Sequence, residues 1–179
     1  MRVKTNQLIR IICFIAMIGA LLRAPIFGAN PVLAGNGEGK IEFRLAEPAD
    51  TPKTILTDFV VAELRGVKYR VSTRAELKFK RTALCAVVVQ ELEPGEYALN
   101  LQVDSSLWSA IETLTTTNKG NYLAIVVDGA LISAARVLEP IPDGRLTILY
   151  ARSKQEGLDL ARRFSSTPKF LPLEDTRTR

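Results

Sequence analysis

The chain contains no histidine. That removes the commonest general base, the Ser-His and Cys-His nucleophile pairs, and every metal site that needs an imidazole. Cysteine is almost as scarce. Cys13 lies in an apolar N-terminal stretch, so loss of that stretch leaves Cys85 alone and no internal disulfide can form. Cys85 sits in Ala83-Leu84-Cys85-Ala86-Val87-Val88-Val89, where a small buried hydrophobe is expected. Pairing with another molecule in an oxidising space is the alternative. Long hydrophobic runs are missing as well. Ile11 to Leu22 is uncharged and apolar but falls short of the roughly 20 residues a membrane span needs. Finally, no acid precedes Glu38.

The N-terminal features together read as a secretory signal peptide. Arg2, Lys4 and Arg10 supply the positive start, Ile11 to Leu22 the apolar core, and Val32-Leu33-Ala34 a cut site. Ala29 is a poorer cut, because Phe27 stands where a small side chain is preferred. An uncleaved anchor is the rival, favoured by the absence of charge between Arg23 and Glu38. Pro25 and Pro31 oppose it, since each interrupts the helix it requires. The expectation is therefore an exported, periplasmic protein, or one held at the membrane by its leader.

Setting residues 1–34 aside changes the electrostatics. The full chain has 24 bases and 19 acids, formally +5. The leader holds four bases (Arg2, Lys4, Arg10, Arg23) and no acid, so the remainder is nearly neutral at +1. A nucleic-acid partner calls for a strong basic excess on the folded domain, so none is expected.

About 145 residues remain, enough for one domain with a real core. Residues 35–81 read as a link followed by N-terminal strands. Gly35 to Lys40 (GNGEGK) has the wrong glycine spacing for a phosphate loop, and Ile41 stands where Ser or Thr is needed. Ile41 to Leu45 alternates as a half-buried strand does, and Ile55 to Leu64 and Val67 to Val71 are strands joined by Arg65-Gly66. Ser72 to Lys78 is expected to be a short helix capped by Ser72 or Thr73. Thr82 to Leu92, the turn Glu93-Pro94-Gly95-Glu96 and Tyr97 to Val103 make a hairpin.

Asp104-Ser105-Ser106 then opens a helix in which Leu107, Trp108, Ile111, Leu114 and Thr115 recur at helical spacing. It ends at Asn118-Lys119-Gly120, where glycine takes the left-handed position. Trp108 is expected in the core with its indole N–H at the edge. Leu123 to Val127, the tight Asp128-Gly129 turn and Ala130 to Val137 form a second hairpin. Gly144 to Leu149 adds a strand. Ser153 caps a last helix with Leu158, Leu160, Ala161 and Phe164 on its apolar side. The polar tail, 166–179, carries Pro168 and Pro172 and is expected to be flexible. The fold class is α+β: a mostly antiparallel sheet built from hairpins, with two main helices packed on one face.

Little chemistry is offered by these residues. Glu91, Glu93 and Glu96 read as a solvated rim, or as a weak oxygen-only cation site if Glu91 and Glu93 share a strand face. Ser153 and Lys154 are adjacent, so on a helix they point apart and do not form a Ser-Lys pair. No catalytic residue, metal site or cofactor is expected. The densest basic stretch is Lys68, Arg70, Arg74, Lys78, Lys80 and Arg81. It is either an exposed, solubilising face or a surface for anionic headgroups or acidic polypeptide.

The run Leu123 to Gly129, with Ile132-Ser133-Ala134, Glu139-Pro140-Ile141, Gly144-Arg145 and the Leu158-Asp159-Leu160-Ala161 helix, resembles the head subdomain of the first periplasmic domain of SecD, a subunit of the bacterial preprotein translocase. The likeness covers residues 82 to 165. It implies contact with translocating polypeptide on the outer side of the membrane. Energy coupling in that family uses proton-carrying transmembrane helices, which do not follow the leader here, so it is not carried over. The expected partners are unfolded secretory polypeptide or, alternatively, a translocase or other envelope complex in which the protein is an accessory subunit. Membrane contact is expected through the leader or weakly at the periphery.

Overall fold

The structure, a computed structural model, describes residues 39–52, 55–151 and 153–172, except for the side chains of 149 and 150. The leader, the cut site and most of the GNGEGK link lie outside these. Among the described residues nine strands and two α-helices follow one another: β1 (Lys40–Pro48), β2 (Phe59–Leu64), β3 (Val67–Lys80), β4 (Leu84–Glu93), β5 (Glu96–Val103), α1 (Trp108–Thr117), β6 (Tyr122–Val127), β7 (Ala130–Arg136), β8 (Arg145–Ala151), α2 (Lys154–Ala161) and β9 (Lys169–Leu171). This is the mostly antiparallel α+β fold that the hairpin signals predict, with its strands divided between two sheets.

The first sheet has the order β2-β3-β1-β6-β7. Its turns are those the sequence demands: Arg65-Gly66 and Asp128-Gly129 both hold paired positive φ values, the geometry that matches strand twist. Alternation along β1 sends Ile41, Phe43 and Leu45 to one face and Glu42, Arg44 and Ala46 to the other. The second face carries its own cluster, Ala46, Ala62, Val71, Ala124, Val126 and Leu131. The small side chains at this face let the sheet curl until β2 approaches β7. Tyr69 and Tyr122 close the cluster with rings 6.4 Å apart. Burial, then the neighbouring Tyr122, raises the Tyr69 hydroxyl above its usual pKa.

Residues 72–78, expected to form a helix, belong instead to β3. Arg74-Ala75-Glu76-Leu77-Lys78-Phe79-Lys80 alternates polar and apolar, and Leu77 and Phe79 pack on the main core. Ser72 Oγ accepts from the Arg74 amide at 3.1 Å, so the residue read as a helix cap caps a local turn. The β1–β3 register slips twice here, leaving the Ser72 and Thr73 carbonyls outside the ladder. Arg44 fills the gap. Its Nη1 donates to both carbonyls, at 3.1 and 2.9 Å, while Nε and Nη2 donate to Glu42 at 2.8 and 2.5 Å.

A clasp secures one corner of this sheet. Asp128 Oδ1 accepts from the Lys40 amide at 3.0 Å and Oδ2 pairs with Arg81. The Arg81 amide donates to Gly39 O at 2.7 Å and the Asp128 amide to Lys40 O at 3.1 Å.

The second sheet has the order β8-β5-β4-β9. The main core joins it to the first sheet: Ile41, Phe43, Leu123, Ile125 and Val127 meet Val87, Val89, Leu99, Leu101 and Val103, and the same cluster takes Ile111 and Leu114 of α1, Ala161 of α2 and Phe164 just beyond α2. Asp104 caps the turn before α1 by accepting from the Ser106 amide at 2.9 Å, and hydrogen bonds from Ser106 hold its carboxyl below the usual range. Gly120 takes the left-handed position after α1, at φ +86°. Ser153 Oγ accepts from the Glu156 amide at 3.1 Å and caps α2. The tail departs from expectation: Lys169–Leu171 form β9, paired in parallel with Val88–Gln90.

Trp108 is not a core residue. It is 38% exposed, its indole N–H donates to Val103 O at 2.9 Å, and its ring lies over Gly144. A Cβ at Gly144 would stand 2.5 Å from Trp108 Cδ1, on a backbone already at φ +64°. Gly144→Ala is therefore expected to destabilise the chain by about 1–3 kcal/mol through overpacking and left-handed strain, read as a lowered urea midpoint.

Candidate functional site

The six basic residues do not converge on one surface. Lys68 and Arg70 pair across the ladder with Glu63 and Val61, and Arg70 also bonds Glu47 at 2.9 Å and two loop carbonyls. Beyond the register slips, Lys78 and Lys80 pair with Glu42 and Lys40, on the face away from the main core. Arg74 sits between these groups, near Asp58 and Glu76 in a pocket of about 280 Å³ that also includes Leu45 and Leu56. Arg81 is engaged by Asp128 in the clasp. The stretch is thus divided by a bulge and interleaved with acids from β1 and β2.

The acidic rim is also dispersed. A register shift separates Glu91 from Glu93, and Glu91 accepts from the Tyr97 hydroxyl at 3.2 Å. Among the described residues no group of three His, Cys, Asp or Glu is placed to hold a metal ion. Cys85, expected to be buried, is exposed: it falls at a bulge between Leu84 and Ala86, has no cross-strand partner, and turns its thiol toward Asp104 Oδ2 at 3.8 Å.

A more promising feature lies between the sheets. Among the described strands β7 ends the first sheet, bonded to β6 and approached by β2, and β8 is an edge of the second sheet, bonded to β5. The two edges approach one another, and Ser133 Oγ bonds Ile148 O at 3.1 Å across the junction. Beside this contact is a cleft of about 70 Å³ whose apolar wall includes Ala135, Leu138, Ile141, Leu146 and Ile148. Arg136 and Glu139 also line it. Its floor is fixed from α1: buried Thr115 donates to Ile111 O at 2.8 Å and accepts from the Ile141 amide at 2.9 Å, pinning the β7–β8 loop. Thr115 was visible in the sequence only as a member of a helical stripe; its bond to residue 141 has no local signal. An edge strand such as β8 presents unpaired backbone groups, and an apolar cleft beside it offers room for side chains of an added strand.

A family model of the SecDF P1 head subdomain matches residues 59–166. The chain belongs to that family. The P1 head match takes in β2 and β3, which the resemblance read from the sequence leaves out. The protein translocase subunit SecD of Acidaminococcus fermentans is 29% identical over 138 residues, covering 68% of this chain. The chain spans only 33% of that relative's length. Two solved structures are similar in fold at 19% identity. One, of a membrane component SecDF that enhances protein export, has a TM-score of 0.52 over 74% of this chain and 64% of the other. The other, SecDF in a super-membrane-facing form, has a TM-score of 0.53 over 76% of this chain and 20% of the other. Among the described residues no helix is long and apolar enough to cross a membrane.

Proposed function

We propose that this P1 head protein is a non-catalytic, exported module that binds extended polypeptide in the periplasm, in connection with protein translocation. The cleft between the β7 and β8 edges carries the reading. Strand addition there uses backbone hydrogen bonds, which are indifferent to sequence, while the apolar wall takes alternate side chains. That combination suits a partner whose sequence varies and whose chain is unfolded. Membership of the P1 head family supports the link to translocation, because the curated relative is a translocase subunit.

The test is binding of the full chain to a fluorescently labelled, reduced and carboxymethylated polypeptide. Leu138, 47% exposed at the cleft, is replaceable without disturbing the core. Leu138→Lys is expected to weaken binding about tenfold by placing a charge against the apolar wall. No binding by the folded wild type, or equal binding by the variant, would sink the proposal.

A further inference from the structure

The second sheet has two edges, and they are treated differently. β8 is left for the cleft, whereas β4 is covered by the chain's own β9. β9 is three residues long, lies between Pro168 and Pro172, and makes the only parallel pairing among the described strands. Proline has no N–H to give a ladder, so this placement confines the pairing to a short segment.

One side chain anchors it. Phe170 lies with its ring centroid 6.4 Å from that of Tyr97, and the Lys154 ammonium stands 3.8 Å from the centre of the Phe170 ring. Lys169 and Leu171 on either side are exposed. The receptor for this ring is built from Tyr97 of β5 and Lys154, the first residue of α2, on elements that the main core also holds through Leu99, Leu101 and Ala161. A cation over an aromatic face and a tilted ring pair recognise an aromatic ring as such, not this particular segment.

We infer that the β4 edge is an exchangeable strand-addition site, selective for an extended peptide with one aromatic residue, and that β9 is its built-in occupant. The tail blocks the site because it is tethered: a short linker holds it at an effective concentration of roughly millimolar, which a free peptide does not match. Weakening the tail's anchor therefore opens the edge. The inference goes beyond the cleft and does not depend on it.

The experiment uses the full chain and a fluorescein-labelled pentapeptide, Pro-Lys-Phe-Leu-Pro, copied from the tail. Phe170→Ala is expected to bind this peptide at least about tenfold more tightly than the wild type, since its own tail has lost the ring that competes. Amides of β4 that face β9 exchange faster in the variant, while those of β1 and β6 stay protected. A peptide with Ala for Phe fails to bind, and Leu138→Lys leaves the gain unchanged. A protease site inserted between Ser165 and Pro168 gives a second route, releasing the tail from an already folded chain. Equal affinity in wild type and variant, or no binding once exchange shows the β4 edge open, would overturn the inference. So would equal binding of the peptide that lacks Phe.

Discussion

Arg44→Met is expected to cost about 3–5 kcal/mol of folding stability, because it removes one partner of a buried, fully bonded cation. Arg44 is 6% exposed, and its side chain satisfies the Glu42 carboxylate together with the Ser72 and Thr73 carbonyls. Methionine fills much of the same volume, so the loss is not mainly one of packing. What remains is a carboxylate, with a side chain only 15% exposed, and two carbonyls that have lost the guanidinium. Unpaired buried groups of this kind cost more than the bonds themselves contribute. The paired change Glu42→Leu with Arg44→Met is expected to recover a large part of the loss, because it removes the stranded charge. Urea unfolding of wild type, single and double variants measures both effects. A loss below about 1 kcal/mol in the single variant would show that Glu42 finds water in place of the guanidinium.

Phe164→Ala is expected to cost a similar amount, about 3–5 kcal/mol, by a different route. Phe164 is 1% exposed in the main core, immediately beyond α2, and its amide closes a turn on Ala161 O at 2.9 Å. Truncation removes the burial of a whole ring and leaves a cavity that close-packed neighbours only partly fill. α2 has little room to shift inward, since a Cβ on Gly157 would already lie 2.8 Å from Val89 Cγ1. For a domain of this size the melting temperature should fall by roughly 10 °C. The chain between Phe164 and β9 also loses its anchor, so exchange in β9 should rise ahead of global unfolding. A shift of only a degree or two would mean that α2 re-seats and closes the space.

The features legible in the sequence were those fixed by a few neighbouring residues. Asp128-Gly129 announces its turn because both positions need positive φ, and Ser153 and Gly120 mark helix ends by the same kind of local demand. The failures arose where distant residues decide. Ser72 looks like a helix cap, yet the alternation from Arg74 to Lys80 was the stronger signal, and β1 supplies the partner that makes a strand of it. Cys85 lies in an apolar run, but a bulge against β5 turns it outward. β9 depends on β4, far away in the sequence, and nothing in Lys169-Phe170-Leu171 points there. The basic stretch looked continuous because its acidic neighbours come from elsewhere, Glu42 and Glu47 from β1, Glu63 from β2 and Asp128 from the β6–β7 turn. The cleft was foreseeable as a kind of surface, a sheet edge or groove, but not as particular residues, since β7 and β8 belong to different sheets.

The corner where Gly39, Lys40, Arg81 and Asp128 meet has a mechanical consequence. β1 is the middle strand of its sheet, bonded to β3 on one side and β6 on the other. Traction on the backbone at residue 39, directed along β1, loads both ladders in parallel, with the carboxylate of Asp128 as the first rivet. Strands pulled lengthwise must break many bonds together, so rupture under load follows the slow unfolding barrier. Extension from this end is therefore expected to meet more resistance than extension from a peripheral strand such as β9.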